Sequence, residues 1–107
     1  MERKIETRIT KMLGIERPIL CGAMQWLTKA ELVAAVSNAG GLGVMSSASF
    51  PNAEELRAEI KKAKELTDKP FGVNIMLMSP NAEELAKLVI EEGVSFVTTG
   101  AGNPGQY

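Results

Sequence analysis

The stretch FGVNIMLM, residues 71–78, decides the fold class of this 107-residue chain. Read as a strand, it presents on one face branched side chains that suit packing against helices: Val73, Ile75 and Leu77. The opposite face carries Gly72, Asn74 and Met76. An unpaired buried amide costs about 1 to 3 kcal/mol, so Asn74 needs a hydrogen-bond partner. If this face is turned away from the helices, that partner is either a neighbouring strand or a ligand, and both alternatives stay open.

Three further apolar runs, each bounded by Gly or Pro, read as strands: PILCGAM from Pro18, LGVMSS from Leu42 and VSFVTTG from Val94. Near-continuous apolar strands that alternate with helices indicate a parallel sheet with right-handed crossovers. Doubly wound sheets and (β/α)8 barrels share this rhythm. The similar helices, the absence of GxGxxG after the first strand and the polar Asn74 favour the barrel.

The chain is therefore predicted to be α/β, with three βα units and a fourth strand. A complete (β/α)8 TIM barrel needs about 250 residues, so residues 1–107 are predicted to form a single partial domain, the N-terminal half of a barrel. An open half barrel exposes its concave face and two strand edges, which native proteins avoid. We expect the sequence to be a piece of a longer chain, completed by the remainder of the barrel, or to close against another copy as a homo-oligomer.

Repeated helix starts mark the organisation, because PNAEEL occurs at residues 51–56 and again at 80–85. In each copy an Asn is predicted to cap the helix and a Glu three residues on to complete a capping box: Asn52 with Glu55, and Asn81 with Glu84. Thr28 and Glu31 have the same spacing. The helix after the first copy is predicted to bury Ala53, Leu56, Ile60 and Ala63 and to turn Glu59, Lys61, Lys62 and Glu65 toward water. A short turn over residues 7–13, closed by Gly14, is expected to plug one end of the barrel.

Composition describes an ordinary soluble globular chain, with 45% apolar residues and a formal net charge of -1. The sequence has no basic patch, so neither nucleic acid nor an anionic membrane is predicted as a partner. The single cysteine, Cys21, is expected to be a buried small hydrophobe within its strand. One cysteine, no secretory signal and no membrane span together favour a cytoplasmic location. The chain has no histidine, which argues against a protein zinc site and against the commonest general base.

The closing stretch TTGAGNPGQY places Gly100, Gly102 and Gly105 on the spacing GxGxxG. A dinucleotide motif needs a helix after its last glycine, and no helix can follow before Tyr107, so the stretch is interpreted as a loop after the fourth strand. The other glycine-rich stretch, NAGGLG at residues 38–43, is predicted to be a helix C-cap and tight turn rather than a phosphate cradle.

Five stretches match a known family in order and spacing: TRITKMLGIERPILCGAMQW, AAVSNAGGLGVM, LTDKPFGVNIMLMSP, LVIEEG and VTTGAGNPGQY. They resemble the N-terminal part of the second type of flavin-dependent enoyl-acyl-carrier-protein reductase of fatty-acid synthesis. Nitronate monooxygenases, once called 2-nitropropane dioxygenases, share this barrel and pattern. The resemblance implies an FMN-binding barrel in which NAD(P)H reduces the flavin. The substrate would be an enoyl thioester on acyl carrier protein or, alternatively, a nitronate.

The resemblance also implies which residues line the flavin: Gly22, Ala23, Met24, Asn74, Thr99, Gly100, Ala101 and Gly102. From the residues alone, Met24 is equally well a core filler, and the glycines of the last loop could serve only its turn. The chain departs from the family at Cys21, Gly22 and Ala23, where Gln and two glycines are usual, and at SSASF, which replaces a glycine-rich turn. The family's catalytic histidine and its flavin-phosphate loops correspond to no part of this sequence. We therefore expect the 107-residue chain alone to be inactive; the alternative is a non-catalytic half barrel that only folds or self-associates.

Overall fold

The computed structural model describes residues 5–106. Helices and strands alternate along them, with short 3-10 turns at Ser47–Ser49 and Pro104–Gln106. In chain order the elements are α1 (Arg8–Leu13), β1 (Leu20–Cys21), α2 (Ala30–Asn38), β2 (Leu42–Ser46), α3 (Ala53–Leu66), β3 (Gly72–Met76), α4 (Ala82–Glu91) and β4 (Phe96–Gly100).

All four strands pair in parallel, in the spatial order β1-β2-β3-β4. This confirms the predicted α/β architecture. A doubly wound sheet would place its first strand in the interior of the order, whereas a barrel adds each strand beside the one before it. Strand β1 is shorter than the run PILCGAM predicted, because only Leu20 and Cys21 pair with β2.

Two apolar layers cover the sheet. On the convex side α2, α3 and α4 pack on the strands around fully buried side chains that include Met45, Leu56, Ile60 and Val73. On the concave side a smaller cluster joins Ile15 to Leu42 and Val44, with Leu13, Ala23 and Phe96 packed against it. The predicted alternation along β3 is therefore confirmed, and the segment of α1 does cover the amino-terminal end of the concave face as predicted.

The predicted capping boxes are confirmed only in part: the Asn52 cap forms, without a return bond from the Glu55 side chain among the described hydrogen bonds, and the caps at Asn81 and Thr28 are wrong. Asn52 accepts a hydrogen bond from the Glu55 amide at 2.9 Å at the start of α3. Asn81 makes no such bond, because its backbone (φ −103°, ψ 20°) already lies in the turn before α4 instead of being extended. Thr28 does not cap α2 either, since its hydroxyl bonds the backbone of Met24. A capping box that was not predicted forms at α1, between Thr7 and Thr10.

The start of α2 is capped instead by a side chain of the next helix. Glu59 of α3 accepts a hydrogen bond from the Ala30 amide at 2.8 Å, while the N-cap residue Lys29 provides no side-chain bond. The expectation that Glu59 turns wholly toward water is therefore wrong, and its side chain is half-buried between α2 and α3.

We expect Glu59→Ala to lower the free energy of unfolding by about 1 kcal/mol, the usual cost of losing a helix N-cap. Urea denaturation of the protein measures this, and Glu65→Ala, an exposed glutamate on the same helix, is the matched control. Equal stabilities of the two variants would show that water replaces the carboxylate at the Ala30 amide without cost.

Ion pairs also link successive helices on the outer surface. Lys62 donates to Glu31 of α2 at 2.8 Å, and Arg57 donates to Glu91 at 3.0 Å and to Glu92 at the end of α4. The hydrogen bond with Lys62 lowers the pKa of Glu31 and raises that of Lys62. Any stabilisation from Glu31 is present above the ordinary glutamate pKa and is lost as the pH falls through its lowered value. Exposed pairs of this kind contribute little each.

The turn between α2 and β2 explains the NAGGLG stretch. Gly40 has a φ of 104°, which residues other than glycine rarely adopt. Helix α2 ends at Asn38, two residues before it. A Cβ added at Gly43 would lie 2.4 Å from the Val33 carbonyl oxygen, so α2 contacts β2 backbone to backbone there. The predicted helix end and tight turn are confirmed.

None of the helices in residues 5–106 has the length and hydropathy that crossing a bilayer requires.

Candidate functional site

An open cleft of about 260 Å³ lies at the carboxyl ends of the strands, on the concave face. Its lining comes from β2, β3, β4 and the loop after β1: Ala23, Gln25, Ser46, Ala48, Asn74, Met76, Gly100 and Ala101. Barrels and open parallel sheets bind their ligands at this end of the strands. The cleft is therefore the candidate functional site of the chain.

A polar row crosses the floor of the cleft. The strand register places Ser46, Asn74 and Thr98 side by side on β2, β3 and β4. The Asn74 side-chain Nδ2 donates to Thr98 Oγ1 at 2.8 Å. The expected partner of Asn74 is thus a neighbouring strand. Within residues 5–106, however, its Oδ1 accepts no hydrogen bond, and Asn74 is half-buried at the cleft, so a ligand contact stays compatible with this tie.

Gly100, which lines the cleft, and Gly22, which precedes the lining residue Ala23, have no structural reason to be glycine within the described residues. A Cβ added at Gly22 or at Gly100 would meet no atom within 4 Å, and neither has a φ in the left-handed region. Gly102 differs, because its added Cβ would lie 2.6 Å from the Leu77 Cβ. The cleft therefore has open space at Gly100 and, through Asn74, a hydrogen-bond acceptor in its lining, so a flat ligand could approach the backbone there.

The other residues predicted to line the flavin divide into three groups. Ala23 and Ala101 line the cleft with Asn74 and Gly100. Met24 is 43% exposed, so the core-filler alternative is wrong, and it lies in the loop between the lining residues Ala23 and Gln25. Thr99 pairs with Ile75, so its side chain lies on the helix-facing side of β4 and only its backbone is near the concave face.

Sequence reasoning did not name five residues of this region as site residues: Gln25, Ser46, Ala48, Met76 and Thr98. Two of them could have been predicted from alternation along their strands. Counting from Leu42 and Val44 puts Ser46 on the concave face, and the same alternation puts Thr98 on the concave face and Thr99 on the helix-facing side. Cys21 was expected to be buried within its strand; it is instead half-buried and is the last residue of β1.

Among the described residues that line the cleft, none has an ionisable side chain. The described groups with a shifted pKa lie on the outer helices, where hydrogen bonds to Glu91 and Glu31 raise the pKa of Arg57 and Lys62, and the bond to Lys62 lowers that of Glu31. No group of three or more His, Cys, Asp or Glu side chains in residues 5–106 could hold a metal ion. The described wall of the cleft can therefore position a ligand through hydrogen bonds and apolar contact.

A family model described as nitronate monooxygenase matches residues 6–104 of the sequence. The chain belongs to the nitronate monooxygenase family. Over 91 residues, 85% of this chain, it is 45% identical to (3aS,4S,5R,7aS)-5-hydroxy-7a-methyl-1-oxo-octahydro-1H-indene-4-carboxyl-CoA dehydrogenase of Mycobacterium tuberculosis. Over 76 residues, 71% of this chain, it is 43% identical to a probable nitronate monooxygenase of Staphylococcus saprophyticus. The chain spans 25% and 21% of these two relatives.

Among solved structures, FabK of Thermotoga maritima superimposes on the chain with a TM-score of 0.91 and 50% sequence identity. The superposition covers 96% of this chain and 33% of FabK. This confirms that the sheet and helices correspond to part of a TIM barrel, as predicted. The resemblance to the N-terminal region of this family of oxidoreductases is also confirmed.

Proposed function

We propose that this chain forms one wall of the FMN site of an oxidoreductase that reduces an enoyl thioester with NAD(P)H. The observation that carries the proposal is the open space at Gly100, which lines the cleft together with the Asn74 amide at the carboxyl ends of the strands. Gly22, which precedes the lining residue Ala23, also has open space around it. The likeness to FabK, an enoyl-acyl-carrier-protein reductase, supports this chemistry.

The residues of the cleft divide the work of holding such a ring. Gly22 and Gly100 let its face approach the backbone, and Ala23 and Ala101 extend that wall without bulk. Asn74 offers an acceptor to a ring N–H while Thr98 fixes the orientation of its amide. Bound FMN would supply the hydride transfer, which these side chains have no chemistry for. A proton delivered to the substrate would have to come from a group other than the described residues that line this cleft.

The thioester part of the proposal draws on two relatives of different substrate. FabK takes an enoyl group carried as a thioester, and the M. tuberculosis dehydrogenase is named for the coenzyme A thioester of a fused-ring acid. Both substrates combine an apolar carbon skeleton with a thioester. An alternative function is oxidation of a nitronate with oxygen, which the family model and the 43% identical staphylococcal relatives favour.

We also propose that the exposed edge of the sheet at β4 is covered by the remainder of a barrel or by a second copy of the chain. Val97 on β4 is 47% exposed and Ile90 on α4 is 77% exposed, on the side where a further helix would pack in a barrel. A non-catalytic half barrel that only folds or self-associates is the alternative in which this surface is the whole function.

The test uses the complete gene product, meaning the protein as it is encoded, including any residues beyond Tyr107. We expect it to purify with the absorbance of a flavin and to oxidise NADH or NADPH when crotonyl coenzyme A is added under nitrogen. Oxygen uptake with a nitronate, without crotonyl-dependent oxidation, would establish the alternative reaction. A protein without flavin that turns over neither substrate would support the non-catalytic alternative.

A further inference from the structure

Trp26 has a backbone conformation that a bulky residue rarely adopts. It follows Gln25, which lines the cleft, and its φ is 73°. The other non-glycine residue with positive φ in residues 5–106 is Ala101, with a φ of 56°, which also lines the cleft. Backbone strain of this kind costs free energy and is concentrated at functional sites.

Buried hydroxyl groups hold the strained loop in place. The Trp26 amide donates to Ser49 Oγ at 2.7 Å, and Ser49 is 5% exposed. On the other side the Met24 amide donates to Thr28 Oγ1 at 2.9 Å, and Thr28 has no exposed surface. The side-chain Nε2 of Gln25 donates to the Ala48 carbonyl at 3.4 Å. These bonds tie the loop to the 3-10 turn that follows β2 and to Thr28 just before α2.

This strain does not improve the packing of the core. The Trp26 side chain is 64% exposed, and its neighbours Met24 and Leu27 are 43% and 63% exposed. No charged residue occurs between Cys21 and Thr28. Met78, after β3 at the same end of the sheet, is 76% exposed. These large apolar side chains thus lie in the loop that supplies Ala23 and Gln25 to the cleft and shortly after the lining residue Met76, and they gain little from burial within the described residues.

We propose that Trp26 is a specificity-determining residue whose indole contacts the apolar skeleton of an acyl thioester substrate at the rim of the cleft. The inference rests on the proposed reduction of a thioester. Indole, thioether and isobutyl groups recognise hydrocarbon through contact area, so their contribution rises with the length of the acyl chain. A short acyl group reaches the cleft without covering the indole. Trp26 should therefore set the preference for long over short substrates.

The kinetic test compares trans-2-octenoyl coenzyme A with crotonyl coenzyme A in the complete gene product. We expect Trp26→Ala to lower kcat/KM for the octenoyl substrate roughly tenfold, mainly through KM, and for the crotonyl substrate less than about threefold. Trp26→Phe should restore most of the loss. Leu66→Ala, which removes a 46% exposed side chain at the opposite end of α3 from the cleft, is the control and should change neither value.

A binding test separates failure of this inference from failure of the proposed reaction. Trp26 is the one tryptophan of the 107 residues, and subtracting the emission of Trp26→Phe isolates its fluorescence in the complete gene product. We expect octanoyl coenzyme A, but not coenzyme A, to shift this emission to shorter wavelength. That shift without enoyl reduction would support the role of Trp26 and contradict the reaction. Normal turnover with no shift, or equal losses for both substrates in Trp26→Ala, would overturn the role of Trp26 and leave the reaction standing.

Discussion

Gly43→Ala is expected to lower the free energy of unfolding by about 3 kcal/mol, at the upper end of the usual cost of overpacking a core. The added Cβ would lie 2.4 Å from the Val33 carbonyl oxygen and 2.7 Å from the Val33 Cα. Both are backbone atoms, so no side-chain rotation relieves the contact and α2 must move away from β2. That movement would also strain the hydrogen bond from the Gly43 amide to the buried Ser37 Oγ, now 3.1 Å long.

Urea denaturation of the flavin-free complete gene product measures this loss. Gly22→Ala is the matched control, because its added Cβ meets no atom within 4 Å. Its stability should stay within about 0.5 kcal/mol of the parent or rise slightly, since alanine restricts the unfolded chain more than glycine does. A loss below about 1 kcal/mol for Gly43→Ala would mean that α2 shifts easily and that the close approach is not a constraint on the fold.

Asn74→Ala should weaken FMN retention by about 1 to 3 kcal/mol, or roughly 5- to 150-fold in dissociation constant, through loss of a polar partner in the cleft. The melting temperature of the flavin-free protein should change little, because Asn74 is half-buried and its one described partner, Thr98, is open to water. Equilibrium dialysis against FMN and thermal unfolding of the apoprotein provide the two numbers.

Thr98→Val is the control that separates the two roles of Asn74. It removes the hydroxyl that accepts from Asn74 Nδ2 but keeps the amide and the approximate volume of the side chain. If the amide contacts the flavin directly, Thr98→Val should weaken FMN binding less than Asn74→Ala does. A destabilised apoprotein with normal FMN affinity in Asn74→Ala would mean that the residue serves only as a tie between β3 and β4.

The fold could be predicted from the sequence because its strongest signals are periodic and local. Alternation in residues 71–78 identified the two faces of β3, and the burial of Val73 and Ile75 beneath the helices confirms it. The helix caps were less predictable. The two copies of PNAEEL are identical, yet only Asn52 caps its helix, since the turn before Asn81 fixes its backbone in another conformation. The cap of α2 comes from Glu59, which is 29 residues away from Ala30 in sequence, so local spacing could not reveal it.

The candidate site was predictable only where one strand carried the signal. Asn74 stands out within its own strand, but the row that it forms with Ser46 and Thr98 depends on the register between three strands. No local pattern in the sequence sets that register. The conformation of Trp26 was hidden for a similar reason, because its amide bonds to Ser49, which is 23 residues away in the 3-10 turn after β2. Assignment of FMN and an enoyl thioester came from the family resemblance and stays a prediction.

The consecutive order of the strands has a consequence for how the protein acquires its structure. Each strand lies beside the one that precedes it in the chain, and side-chain bonds join α2 to α3 and α3 to α4. Contacts therefore connect segments about one βα unit apart, which keeps the entropy of loop closure modest. During synthesis the amino-terminal part of a chain emerges first. We expect these units to condense one after another at the ribosome, with each new strand forming on the edge completed just before it.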